Sequence, residues 1–510
     1  MMLRVLLLVL LSWGAVACAL DASQVVVVCN ADSALSREAA ELYCRVRGVP
    51  SSQLVSLPGL PKGSELSWEE YQRLVAGPLL SYAELGGWRP ATLRGGRGRR
   101  VYALVLMPDF PLRIRREAGE KEMRPDNSGA SLDSELAVLG YNYKRAGMLA
   151  NPYAGKEMPL DEFSQPVLAV CRIDGPDREC VMRMIEDPAR VEKSGLRGWT
   201  LVDSGGPYKE GDAWFEGVAK EAFERYVPLF WEGSPSRLAK GYPLMQGVAF
   251  YFGWYTEFAD GPFAEGAGDF RFAPGAVACH LHSFSATSLR DKRRWVAALL
   301  RRGAAVTFGN VAEPFLGGNI RHDVLYDRLL KGYCLAEAAM MAQPTLSWQW
   351  VILGDPLYRP CKPEVMRLAA GDDAFSVWQR LNERARGDLA LLRRLIPQMA
   401  QPSQAAVMAE MYGAACLMVK NEELAESMFD FAARQYSGLG DRLRCMHRRA
   451  LAFAAMGQPA TARATMAHAL ELAKGSPWEG AMRACAEALD PKPQPKAPGA
   501  SSAGKGQGSK

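Results

Sequence analysis

"QVVVVCN", Gln24 to Asn30, followed by "SREAAELYCRVRGVP", Ser36 to Pro50, decides the fold class. A continuous β-branched run is what a strand covered on both faces requires. In the second stretch Ala39, Leu42, Tyr43 and Val46 fall on one helical face. Ser36 is placed to cap that helix, and Gly48 and Pro50 end it. A buried strand leading into an amphipathic helix is the first half of a parallel β–α–β unit.

The same alternation continues. Strands are expected at 100–107, 166–173, 198–204, 246–253, 275–281 and 303–310. Helices are expected at 177–193, 213–226 and 289–302. The reading is a mostly parallel, doubly wound α/β domain over 23–363. Residues 123–162 carry few periodic signals and read as a long excursion. "LGDPLYRP" (Leu353–Pro360) reads as a turn in which Asp355 accepts backbone N–H bonds.

Beyond Pro363 strands disappear and alanine rises. Ala425, Phe429 and Ala432 have spacings of four and three, and Ala462, Met466 and Ala469 repeat them 37 residues later. Small–large–small at those offsets lets two helices approach closely. It is similar to a tetratricopeptide-type helical hairpin repeat over 375–490, with helices from about Phe375 as a third, degenerate unit. The repeats imply a protein or peptide partner. Residues 491–510, rich in Pro, Gly, Ser and Lys, hold no core-forming side chains and read as a disordered tail.

The N-terminus sets the compartment. Arg4, the apolar run Val5–Trp13 and the small residues that follow make residues 1–19 a signal peptide. Ala17-Cys18-Ala19 fits a cleavage site after Ala19, whereas Ala15-Val16-Ala17-Cys18 resembles a lipobox that would place a lipid anchor on Cys18. Both readings export the chain, to the periplasm or the outer membrane. No later stretch is apolar enough to span a bilayer. A net charge of +5 over 510 residues is too small to argue for nucleic acid. Eleven cysteines without a C-x-x-C pattern do not make a disulfide framework, although Cys171 and Cys180 are placed to pair.

Phosphate-loop, zincin, nucleophile-elbow and dinucleotide motifs are absent, and no cofactor or metal site is indicated. Ligands of open α/β sheets bind beyond the carboxyl ends of the strands. Polar residues at those ends include Asp109, Trp254, Tyr255, Cys279, His280, His282, Ser283, Asn310, Glu313 and Asp355, expected on one edge. "PGAVACHLHSFSA" (Pro274–Ala286) is the densest of these segments. On a strand, His280 and His282 point one way and Cys279 and Leu281 the other. Cys279 is then a nucleophile, or the histidines are acid–base groups or metal ligands, or the segment is a buried strand end. Trp254 and Tyr255 stack on a ligand or cap the core. "SLRDKRRWVAALLRRG" reads as a covering helix with a solvated basic face.

The ordered series "NADS…AELYCRVRGVP", "LDSELAVLG", "NPY", "RIDGP", "GLRGW", "GWY", "PGAVACHLHSFSA", "GAAVTFGNVAEPF" and "SWQWVILGDPLYRP" resembles an uncharacterised family of exported bacterial proteins. That family tends to occur in genomes encoding exosortase-type sorting systems. The resemblance spans 25–360 and implies an envelope role. A more distant likeness joins the strands ending in "GWY" and "VAC" to gingipain-like cysteine peptidases of the caspase-like fold. It implies that Cys279 stands at the nucleophile position. Gly253-Trp254-Tyr255 stands where that group carries its catalytic histidine, so the usual dyad is broken. The expectation is an exported binding or accessory protein with a degenerate caspase-like domain. The alternative is a cysteine peptidase or related amide hydrolase using Cys279 with His280 or His282.

Overall fold

A computed structural model describes residues 20–489 except 96, 116–128, 142–146, 166, 234–237 and 368–370. The expected signal peptide, Cys18 and the tail at 491–510 lie outside the described residues. No described helix is long and apolar enough to cross a membrane.

The chain forms a parallel-rich mixed α/β body followed by a helical region. Ten strands carry the body: β1 (Val25–Asn30), β2 (Leu54–Leu57), β3 (Ala103–Leu106), β4 (Ala169–Arg172), β5 (Trp199–Asp203), β6 (Leu229–Glu232), β7 (Val248–Gly253), β8 (Val277–His280), β9 (Thr307–Asn310) and β10 (Trp350–Leu353). All six residues of β1 are buried, as the valine run requires. The helix after it, α1 (Ala34–Arg47), starts earlier than expected. Ser33 is its cap, and the Ser36 hydroxyl instead accepts the Asn30 N–H. Gly48 closes it with φ 70°, a left-handed conformation that glycine adopts without strain.

The strands run in the order β2-β1-β3-β4-β10-β9 and β8-β7-β5-β6. A parallel bridge between Val277 and Val306 joins β8 to the chain entering β9, so the two sheets form one continuous surface. Every neighbouring pair is parallel except β9 and β10, which are antiparallel. That reversal divides the sheet into two halves whose carboxyl ends emerge at opposite edges. Asn30, Asp109, Arg172 and Asp355 therefore belong to one edge. Trp254, Tyr255, His280, His282, Asn310 and Glu313 belong to the other. The expectation of a single convergent edge is corrected by β10, a strand not among those expected, which lies just before the expected turn at Leu353–Pro360.

Helices α2 (Arg178–Val191), α3 (Lys209–Glu224), α4 (Trp295–Arg301), α5 (His322–Leu330) and α6 (Leu335–Ala342) cover the sheet. The α4 helix is half the expected length, because Ser288 and Asp291 fold the preceding residues into turns. Cys171 and Cys180 are both free thiols, which corrects the expected pairing. Cys171 sits inside β4, while Cys180 in the first turn of α2 contacts the Arg183 guanidinium.

From Ala374 the chain is helical: α7 (Ala374–Ala385), α8 (Leu389–Met399), α9 (Ala405–Met418), α10 (Glu422–Gln435), α11 (Leu439–Ala455), α12 (Pro459–Ala473) and α13 (Glu479–Ala488). Consecutive helices pack on one another. Ala425, Phe429, Ala432, Ala462, Met466 and Ala469 are all buried. Gly413 of α9 lies so close to Phe429 that an added Cβ would meet its ring at 3.0 Å. These helices do not close a core of their own. One cluster runs from Trp199, Leu201, Tyr251 and Ala278 on the sheet to Trp378, Leu381, Met408 and Phe429 on the helices.

The junction is polar where it leaves that cluster. Arg444 forms a two-pronged pair with Glu410 at 2.6 and 2.8 Å, and both side chains are buried. Arg444 also donates to the Pro243 carbonyl, and Arg448 donates to that of Trp231. Tyr242 meets His447 Nδ1 at 3.0 Å.

Candidate functional site

The strands β7 and β8 run side by side, with Phe252 opposite Cys279 and Gly253 opposite His280. Alternation then sends Cys279 and His280 to opposite faces, as the sequence implies. On the first face, Cys279 Sγ lies 2.8 Å from Nε2 of His322, the first residue of α5. This partner was not foreseen. It lies 43 residues away in "NIRHDVLYD", which carries no recognisable motif.

The pair is sealed. Cys279 is 2% exposed and His322 is fully buried. The imidazole stacks on Phe215 at 5.3 Å, and Phe252 meets its edge at 5.7 Å. Burial pushes the Cys279 thiol well above its ordinary range. Burial also drives the His322 imidazole down to about 4, against the pull of Asp323. Both shifts oppose a thiolate–imidazolium pair, so the two groups are neutral near pH 7. Among the described residues, Nδ1 of His322 has no hydrogen-bond partner, and neither does Oδ1 of Asn310. Both residues border a cavity of about 10 Å³ that also touches Ser285, Asn319 and Gln343. That is room for about one water molecule and for no substrate.

On the other face His280 is committed. Nδ1 meets the Tyr251 hydroxyl at 3.0 Å, Nε2 accepts the Thr256 N–H, and the ring stacks on Trp295 at 3.5 Å. It is not placed to act on Cys279. His282 accepts the Phe284 N–H through Nδ1 and packs on Tyr255 at 4.7 Å. Burial lowers its pKa, opposed by Glu257 and Glu313. Ser283 lies beside the Tyr255 hydroxyl, whose pKa burial raises. Glu313 Oε1 accepts the Phe315 N–H. His282, Ser283, Tyr255 and Glu313 thus gather near one another, and none of them lines the cavity beside Cys279.

Trp254 caps the core. It is 1% exposed, lies against Gly206 and Gly211, and donates its indole N–H to Asp212. The remaining candidates lie at the opposite edge. Asp355 is fully buried, accepts the Tyr43 hydroxyl at 2.7 Å and pairs with Arg47, which also holds Glu192. Asp109 is exposed at φ 68°; its carboxylate takes Ser33 and Arg290, and its carbonyl takes Asn30. Arg290 also pairs with Asp174 at 2.8 Å, which ties the loop after β8 to the other half of the sheet. No group of histidine, cysteine and acidic side chains among the described residues is arranged to hold a metal ion.

Comparison with protein-family models, curated proteins and solved structures gave no match.

Proposed function

We propose that this chain is a non-hydrolytic binding protein of the cell envelope, in which a caspase-like α/β body carries tetratricopeptide-like helical hairpins that engage a protein or peptide partner. The observation that carries the reading is the sealed Cys279. The distant likeness assigns it the position of a caspase-like nucleophile, yet its thiol is buried, held neutral and paired with a neutral His322 beside a cavity too small for a peptide bond. A nucleophilic cysteine requires thiolate character and access.

The caspase-like part of the reading is supported by strand order. Numbered in chain order from β5, the second half together with the adjoining β10 runs β6-β5-β7-β8-β9-β10, or 2-1-3-4-5-6, with the last strand antiparallel. Cys279 is the last residue but one of the fourth of these strands, and the strand beside it ends at Gly253, followed by Trp254 rather than histidine. Export and envelope location rest on the N-terminal sequence, and recruitment by the repeats rests on their spacing.

One observation favours a hydrolase instead: the 2.8 Å contact between Cys279 and His322, which replaces His280 and His282 as the partner. Incubating the purified chain with a mixed peptide library separates the readings. The binding reading expects no cleavage above a Cys279→Ala control. Turnover abolished in both Cys279→Ala and His322→Ala, with folding intact, would establish the hydrolase.

A further inference from the structure

The basic stretch around α4 holds charges that neither the sheet nor the Cys279 pair uses. Lys292, Arg301 and Arg302 meet Arg271 around a surface pocket of about 160 Å³. Phe263 and Ala298 supply its apolar wall, and Glu265 is the carboxylate in its lining.

Two of the cations are held in place by neutral groups. Arg302 donates to the carbonyls of Ala264 at 2.8 Å, Phe270 at 3.3 Å and Gly268. Arg271 donates to the carbonyl of Arg301. Such bonds fix a guanidinium without neutralising it. None of the four cations forms an ion pair with a described carboxylate. Asp269 acts on Arg302 against Arg271 and Arg301, and Asp177 interacts at longer range with Arg301. Like charges therefore converge on a concave, partly desolvated surface, which concentrates positive potential there.

We propose that this pocket binds a phosphate group. A compact oxyanion offers several acceptors to converging guanidinium forks, and charge-assisted bonds of that kind are strong and directional. Anchoring of Arg302 and Arg271 before the ligand arrives reduces the ordering cost of binding. The phosphate belongs to a soluble phosphorylated compound or to a lipid headgroup, because the pocket opens at the surface.

The test is calorimetric titration of the full mature chain with inorganic phosphate, at fixed ionic strength with chloride as the competing anion. Saturable one-to-one binding is expected. It should weaken by about tenfold or more in Arg302→Gln and in the double variant Lys292→Ala/Arg301→Ala. If Arg302→Gln fails to fold, the double variant decides, since neither of its side chains makes a hydrogen bond that the fold needs. Absence of binding at millimolar phosphate, a signal reproduced by chloride, or unchanged affinity in the double variant overturns the site. Once binding is established, vesicles of phosphatidylglycerol in phosphatidylcholine name the source. Phosphate-competed sedimentation assigns a headgroup, and no sedimentation assigns a soluble compound.

Discussion

The two halves of the sheet bury polar groups in different ways. In the first half they are charged and paired. Arg172 is fully buried, grips Asp133 at 2.5 and 3.1 Å, and donates to the carbonyls of Phe110 and Pro111. Asp355, Arg47 and Glu192 form a second knot. Around β7 and β8 in the second half the buried groups are a thiol, two imidazoles and their neutral neighbours, with Cys279 on His322 and His280 on Tyr251. A catalytic centre needs charge that can appear and be stabilised. The second half also buries Asp203 and Glu232 at the ends of β5 and β6, but no charged side chain lines the cavity beside Cys279, where the distant likeness places chemistry.

The comparison breaks most readily at Arg172. Arg172→Ala leaves Asp133 as an uncompensated buried carboxylate, and denaturant unfolding should show a loss of about 3–5 kcal/mol. A small loss would mean that the first half tolerates isolated buried charge and differs little from the second.

The pH dependence sharpens the comparison from the other side. His322 and His447 each have a folded pKa near 4 because burial disfavours the imidazolium. The unfolded chain takes up those protons near pH 6.5. Their contribution to stability is therefore complete above about pH 6.5 and is lost as pH falls toward 4. Equilibrium unfolding across this window should show a declining stability, and His322→Gln should lower the slope by about one proton. An unchanged slope would place a charged His322 in the native protein.

The smallest effect is expected at the thiol. Cys279→Ala removes a neutral partner and leaves Nε2 of His322 unsatisfied, for a loss of about 1–3 kcal/mol in the same unfolding assay. A loss matching that of Arg172→Ala would give the neutral pair the energetic character of an ion pair.

The strands with continuous apolar, β-branched runs were legible in the sequence. Seven of the ten fall within the expected segments, among them β1 and the β7–β8 pair that carries Cys279. The strand β10 was hidden by the polar turn residues that flank "WVIL", and with it went the reversal that sends Asp109 and Asp355 to the far edge. The strands β2 and β6 are four residues each and lie between polar connections, so they gave no run to read. At the candidate site, alternation along β8 separated Cys279 from His280 correctly. Alternation is a local rule and cannot supply a partner from another element. His322 reaches Cys279 only because α5 packs beneath β7 and β8, a long-range contact with no local signature. The spacing at Phe429 and Met466 was readable because helix–helix packing repeats in sequence. The shared core between those helices and the sheet was not, because nothing periodic encodes it.

Everything proposed for the second half turns on Cys279 being a sealed, neutral thiol. Alkylation of the native and unfolded chain near pH 7, with the modified residue read by mass spectrometry, tests it directly. Cys279 should stay unmodified until the protein unfolds, then react like an ordinary cysteine. Faster modification in the native chain than in the unfolded one would mean an accessible, activated thiolate, and the binding reading would fall.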